Sequence, residues 1–122
     1  MNIYVDANLM YVASTFCMDI GAKIPRTAIL PASRTGTRTL AEAEVEAVLW
    51  ALTMAPADIA LDIYTHSQDT VKKLKQEWKT KPEGRLLLLL QKVWSRSEGR
   101  QVRFHWIPKK QNLAVGILKS TC

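Results

Sequence analysis

The chain has 122 residues, 48% of them hydrophobic, the size of one ordinary domain with enough apolar mass for a single core. Its longest apolar runs, Ala47 to Ala55 and Leu86 to Leu90, fall well short of the ~18 residues a membrane span needs. No basic start followed by an apolar stretch marks a secretory signal, and Cys17 and Cys122 lack the neighbours and spacing of a zinc site or a disulfide framework. These features set the expectation of one soluble, intracellular domain spanning residues 1–122, cytoplasmic or associated with nucleic acid, with no membrane contact.

The first run, NIYVDAN, alternates β-prone residues and reads as a strand: Ile3 and Val5 point one way, Tyr4 and Asp6 the other. Two further β-rich runs, MYVASTFCMDI and RTAILPA, are separated by GAKIP and followed by the turn-like SRTGT, which predicts an antiparallel meander of three strands. TLAEAEVEAVLWALTMAP is rich in alanine, leucine and glutamate and predicts a helix stopped by Pro56, with Thr39 and Glu42 at capping-box spacing. On a 3.6-residue period Glu44 shares a stripe with Val48, Ala51 and Leu52, whereas Glu42 and Glu46 fall roughly opposite. One carboxylate of the three is therefore expected at the buried face.

DIALDIYT predicts a fourth strand, and Ser67 an N-cap for a helix whose apolar stripe is Val71, Leu74 and Trp78. KTKPEG breaks that helix and RLLLLLQKVW starts another. SEGRQ turns the chain into a last strand, VRFHWI, ended by Pro108, and KKQNLAVGILKSTC suits a loop with at most a short final helix. The order β-β-β-α-β-α-α-β describes an α/β layer with one mixed sheet and helices packed on it.

The positive charge, +6 overall, is uneven. Lys72, Lys73, Lys75, Lys79, Lys81 and Arg85 are followed by Lys92, Arg96, Arg100, Arg103, Lys109 and Lys110, while most acidic residues precede Asp69. A C-terminal half this basic suggests a polyanionic partner, although a solvated cationic face has the same composition.

Five segments in order, YVDAN with Asp6, AEVEAVLWAL with Glu44, IYTHSQ, KLKQEWKT and FHWIPKKQNLAVG, resemble the ribonuclease H family over nearly the whole chain. The resemblance implies an α/β fold with one mixed five-stranded sheet, three antiparallel strands and then two more, flanked by helices. It also implies a site where four carboxylates hold two magnesium ions to cleave a phosphodiester, because hard oxygen ligands and several anions are needed to keep two divalent cations together.

Two of the four positions depart from that pattern. Asp6 and Glu44 match the first two carboxylates, but the third position holds His66 in Thr65-His66-Ser67-Gln68, and the fourth, four residues after Asn112, is Gly116. The glycine-rich turn usual after the first aspartate is replaced by ANLMY. What the resemblance implies is a vestigial or altered catalytic corner of Asp6, Glu44 and His66, with Asp6 and Glu44 as the remaining metal ligands and Mg2+ or Mn2+ the cofactor if the site is active. His66 reads as a replaced ligand that now makes a hydrogen bond or an ion pair with Asp6 or Glu44. Asp62 and Asp69 are the conceivable substitutes, the first two pleats from His66 and the second in a helical first turn where the dipole alone favours it.

The family's nucleic-acid surface maps here onto Ser67, Gln68, Lys72, Lys73, Lys75, Trp78, Lys79, Lys109, Lys110 and Asn112. Ser67 is equally explained as a cap and Trp78 as core. Three functions are open on the sequence. One is a catalytically degenerate domain binding RNA/DNA hybrid, RNA or DNA. Another is an active metal-dependent nuclease cutting the RNA strand of hybrids. The last is a structural subunit that contacts protein partners in a nucleoprotein assembly.

Overall fold

The computed structural model describes residues 1–7, 11–17, 26–31, 39–56 and 58–116, the second and third of these ranges through their backbone. The sheet is built from β1 (Asn2–Ala7), β2 (Tyr11–Cys17), β3 (Arg26–Pro31), β4 (Leu61–Thr65) and β5 (Val102–Trp106), and the helices are α1 (Leu40–Met54), α2 (Gln68–Leu74) and α3 (Gly84–Ser97). The strand order is β3-β2-β1-β4-β5. β1, β4 and β5 run parallel, and β2 and β3 extend that core antiparallel from the β1 edge. No helix among the described residues is long and apolar enough to cross a membrane. The expected turn SRTGT, the connection GAKIP, most of ANLMY, and ILKSTC with Cys122 lie outside the described residues.

Alternation does the placing. Ile3, Val5 and Ala7 of β1 and Leu61 and Ile63 of β4 are buried under α1, whose Val45, Val48 and Leu52 complete the core with Leu89, Leu90 and Val93 of α3. Asn2, Tyr4 and Asp6, by the pleat, take the other face. α1 begins at the cap read from the sequence: the Glu42 amide donates to Thr39 Oγ1 at 3.2 Å, and the reciprocal contact is made by the Thr39 hydroxyl, which donates to Glu42 Oε2 at 3.0 Å in place of the backbone N–H of a full capping box.

The expectation that only Glu44 borders the buried face of α1 is corrected. Glu42 is the most buried of the three at 7% exposure, and Glu44 and Glu46 are both half-buried. α1 packs on β1 and β2 on one side and on α3 on another, so burial wraps more of the helix than a single stripe. Arg85 of α3 answers the resulting charge, its Nε 3.0 Å from Glu42 Oε1 and its Nη2 3.8 Å from Glu46 Oε2.

The helix expected to carry Val71, Leu74 and Trp78 on one stripe stops at Leu74. The Glu77 amide donates to Lys72 O and the Gln76 amide to Lys73 O, the two bonds of a Schellman ending, with Gln76 at φ +62° in the position that favours glycine. Trp94 of α3 fixes this ending from outside by donating its indole Nε1 to Leu74 O at 3.0 Å. Trp78 lies beyond the helix, its ring tilted against Trp94 with centroids 6.0 Å apart. A non-glycine residue in the left-handed region costs roughly 1–2 kcal/mol, partly offset by the greater freedom glycine has when unfolded. Gln76→Gly should therefore stabilise the protein by about 0.5–1 kcal/mol, read as a higher urea midpoint with an unchanged slope.

Candidate functional site

The parallel register of β1 and β4 pairs Asn2 with Asp62, Ile3 with Ile63 and Tyr4 with Tyr64. The same offset of sixty residues carries Asp6, at the end of β1, beside His66, just past β4. The pairing is loose: His66 Nε2 stands 3.8 Å from Asp6 Oδ1, beyond a hydrogen bond. Asp6 Oδ1 instead accepts the Ala7 amide at 2.9 Å. Burial pushes the Asp6 carboxyl above its ordinary value and Glu44 adds to the rise, against the lowering pull of the Ala7 amide, His66 and Lys109. A carboxylate held against its preferred charge at a strand end is typical of a functional corner.

Glu44 approaches from α1, half-buried, and its Oε2 accepts the Thr70 hydroxyl at 2.6 Å. Thr70 is itself set by Ser67, whose Oγ accepts the Thr70 amide at 3.2 Å as the N-cap of α2. Ser67 thus does what its sequence position suggested, and through Thr70 it also fixes a carboxylate. The sequence reading had no place for Thr70.

Asn112 is more enclosed than its loop position suggested. Placed by its loop position among the nucleic-acid contacts, it is 4% exposed and internally bonded. Its Nδ2 donates to Val5 O at 2.9 Å and lies 3.0 Å from His66 Nδ1, while its Oδ1 accepts the Ala114 amide at 3.1 Å. The turn Lys109–Gln111 after Pro108 brings it there. Its side chain therefore anchors the loop after β5 to the end of β1 and holds the His66 ring, with both amide hydrogens directed at internal partners.

The two substitute carboxylates are engaged elsewhere. Asp62 Oδ1 takes Arg103 Nε at 2.8 Å and His105 Nε2 at 2.7 Å, and its Oδ2 accepts Arg103 Nη2 at 3.1 Å. Burial raises the Asp62 carboxyl, but His105 and Arg103 outweigh it and hold the group below its usual range. His105 stacks on Tyr64, which stacks on Tyr4, a row of rings on the face of the sheet away from α1. Asp69 pairs with Lys73 one helical turn on.

These contacts decide how a two-magnesium centre would fare. Among the described residues no three His, Cys, Asp or Glu side chains converge so as to hold a metal ion. Asp6 and Glu44 are brought to one corner, but Glu44 already accepts Thr70, position 66 presents an imidazole that faces an amide donor, and Gly116 has no side chain. The residues do not fit the pair of hard cations that four carboxylates would hold.

The basic half divides by residue type. The arginines are used internally: Arg85 as above, Arg96 on Thr53 Oγ1, Arg100 on Leu52 O and Pro56 O at the end of α1, and Arg103 on Asp62. Lys72, Lys75, Lys79, Lys81, Lys92, Lys109 and Lys110 are exposed, as is Gln68, whereas Lys73 is tied to Asp69 and Trp78 is half-buried against Trp94. The cationic surface is thus one of flexible point charges on and after α2 and beside the Asp6 corner.

A family model described as reverse transcriptase-like matches residues 26–122. Among solved structures, the chain is similar to ribonuclease H1 from the halophilic archaeon Halobacterium salinarum, with 19% identity, a TM-score of 0.74, and 98% of this chain and 97% of that one covered. It is also similar to a ribonuclease H1 isolated from compost, with 20% identity, a TM-score of 0.73 and 99% and 97% coverage. That compost enzyme in complex with an RNA/DNA hybrid matches at 18% identity and a TM-score of 0.68, covering 99% and 97%. No curated protein matches the chain.

Proposed function

The chain belongs to the reverse transcriptase-like family, with the α/β fold of ribonuclease H, and from that membership we propose that it is a nucleic-acid-binding domain with a degenerate catalytic corner. It binds RNA/DNA hybrid, RNA or DNA through the lysines of α2, the segment after it and the loop after β5, and it does not cleave. The observation that carries this reading is the pairing of an exposed lysine surface with a corner where His66, tied to Asn112, stands in place of a carboxylate. A hybrid seated on a similar fold in the compost enzyme supports that class of ligand.

Lysines that track phosphates make binding strongly dependent on salt. Four phosphate contacts give a slope near −3.6, so affinity should fall roughly a hundredfold between about 50 and 200 mM salt. Gel-shift titrations of hybrid, duplex and single strands in EDTA should show retardation at the lower salt that is lost at the higher. Absence of retardation of all of them at low salt would overturn the reading, as would release of short RNA fragments from hybrid when Mg2+ or Mn2+ is added.

A further inference from the structure

The amide of Asn112 has only one orientation open to it. Val5 O requires a donor and the Ala114 N–H requires an acceptor, so Nδ2 lies at the first and Oδ1 at the second. The remaining Nδ2 hydrogen then points at His66 Nδ1, 3.0 Å away, which must accept it. An imidazole whose Nδ1 accepts carries its proton on Nε2. That proton is not consumed by Asp6, which lies past hydrogen-bond length at 3.8 Å, and the His66 side chain keeps 24% of its exposure.

A histidine that ligates a metal through Nε2 needs the opposite arrangement, with Nδ1–H donated to a carbonyl or carboxylate. Asn112 supplies a donor where that acceptor would stand. We propose that Asn112 fixes His66 as a hydrogen-bond donor, so that the corner takes a phosphate oxygen of the bound strand directly through Nε2–H and refuses divalent cations, including those that favour imidazole. The proposal rests on the nucleic-acid reading above and names the contact that replaces the metal. Lys109, exposed and near enough to act on the Asp6 carboxyl, adds positive charge beside the same phosphate. Asn112 is here a positioning residue, and His66 is the one that touches the ligand.

The test uses the full chain. Long-range 1H–15N correlations of the His66 ring should show the proton on Nε2 and a bare Nδ1, and the reverse tautomer would overturn the proposal. Titration with Zn2+ or Mn2+ should leave the His66 resonances without a saturable change, and a saturable change would overturn it too. In EDTA at low salt, His66→Ala should weaken hybrid binding by about tenfold, the worth of one hydrogen bond to a charged group. His66→Gln, whose amide N–H reaches the place of Nε2, should stay within about threefold of the wild type. Equal loss in both variants, or none in His66→Ala, would sink the phosphate contact alone, whereas failure of the wild type to bind would overturn the functional reading with it.

Discussion

Asn112→Ala is expected to lower the stability of the protein by about 3 kcal/mol, a large share of the ~5–15 kcal/mol that holds a domain together. The side chain is 4% exposed and makes three internal contacts, and truncation abandons every partner at once. Val5 and Ala114, at 1% and 0% exposure, would be left with a carbonyl and an amide that water reaches poorly. Each such group costs roughly 1–3 kcal/mol when unsatisfied, with some relief as the loop relaxes. Leu113→Ala, one residue on, is the control: Leu113 is 49% exposed, and its loss should move stability by no more than about 0.5 kcal/mol. Urea unfolding of both variants separates a loop held by one buried amide from a loop held by general packing. Equal, small effects would show that the anchor is dispensable.

The reach of the sequence and its limits are visible in the same residues. Element order followed from alternation and helical period, and both side-chain caps, Thr39 and Ser67, were legible because a cap is a local event within a few residues. The pairing of Asp6 with His66 was legible only through the family resemblance, and the parallel register then gives its physical basis. The early end of α2 was not legible: KKLKQEW contains no residue that stops a helix, and a partner of that end, Trp94 donating to Leu74 O, lies twenty residues on. Nor was the burial of Glu42, since a helical wheel assigns one inner face and cannot count how many layers a helix will touch. Asn112 is the sharpest case. In sequence it is a loop asparagine between Gln111 and Leu113, just after two lysines, the ordinary setting of an exposed residue. Its partner Val5 lies 107 positions away, a separation no local pattern encodes.

Asp62 illustrates the converse. Strand parity placed it on the face of His66, but cross-strand register decides what it does. β4 and β5 pair Asp62 with Arg103, and that arginine with His105 occupies the carboxylate. Asp62 is therefore engaged away from the Asp6 corner, as Asp69 is by Lys73.

On the proposed function, His66→Asp with Gly116→Asp should convert the corner into a divalent-ion site and yield cleavage of the RNA strand of a hybrid, with no cleavage expected from the parent. The scaffold favours the change at both positions. Asn112 already directs an amide donor at position 66, which a carboxylate oxygen accepts as readily as the present Nδ1, so the residue that denies a metal to histidine would orient an aspartate. At position 116 a Cβ would meet nothing within 4 Å among the described residues. Four carboxylates would then replace two, and the charge they supply is what permits two divalent cations to sit close together. Asp6 and Glu44 would leave their present compromise, in which burial and mutual repulsion raise the Asp6 carboxyl, for one in which the ions balance them. The measurement is a pair of assays on the parent, each single variant and the double: Mg2+ or Mn2+ binding by calorimetry, and cleavage of a labelled hybrid. Saturable binding and cleavage confined to the double variant are the expected result, with Asp6→Asn in that background abolishing cleavage. Ion binding without cleavage would place the defect in strand positioning, at the lysine surface or at the ANLMY segment. A double variant that binds no ion would show that the backbone at this corner, and not only the side chains at positions 66 and 116, disfavours a divalent-ion site.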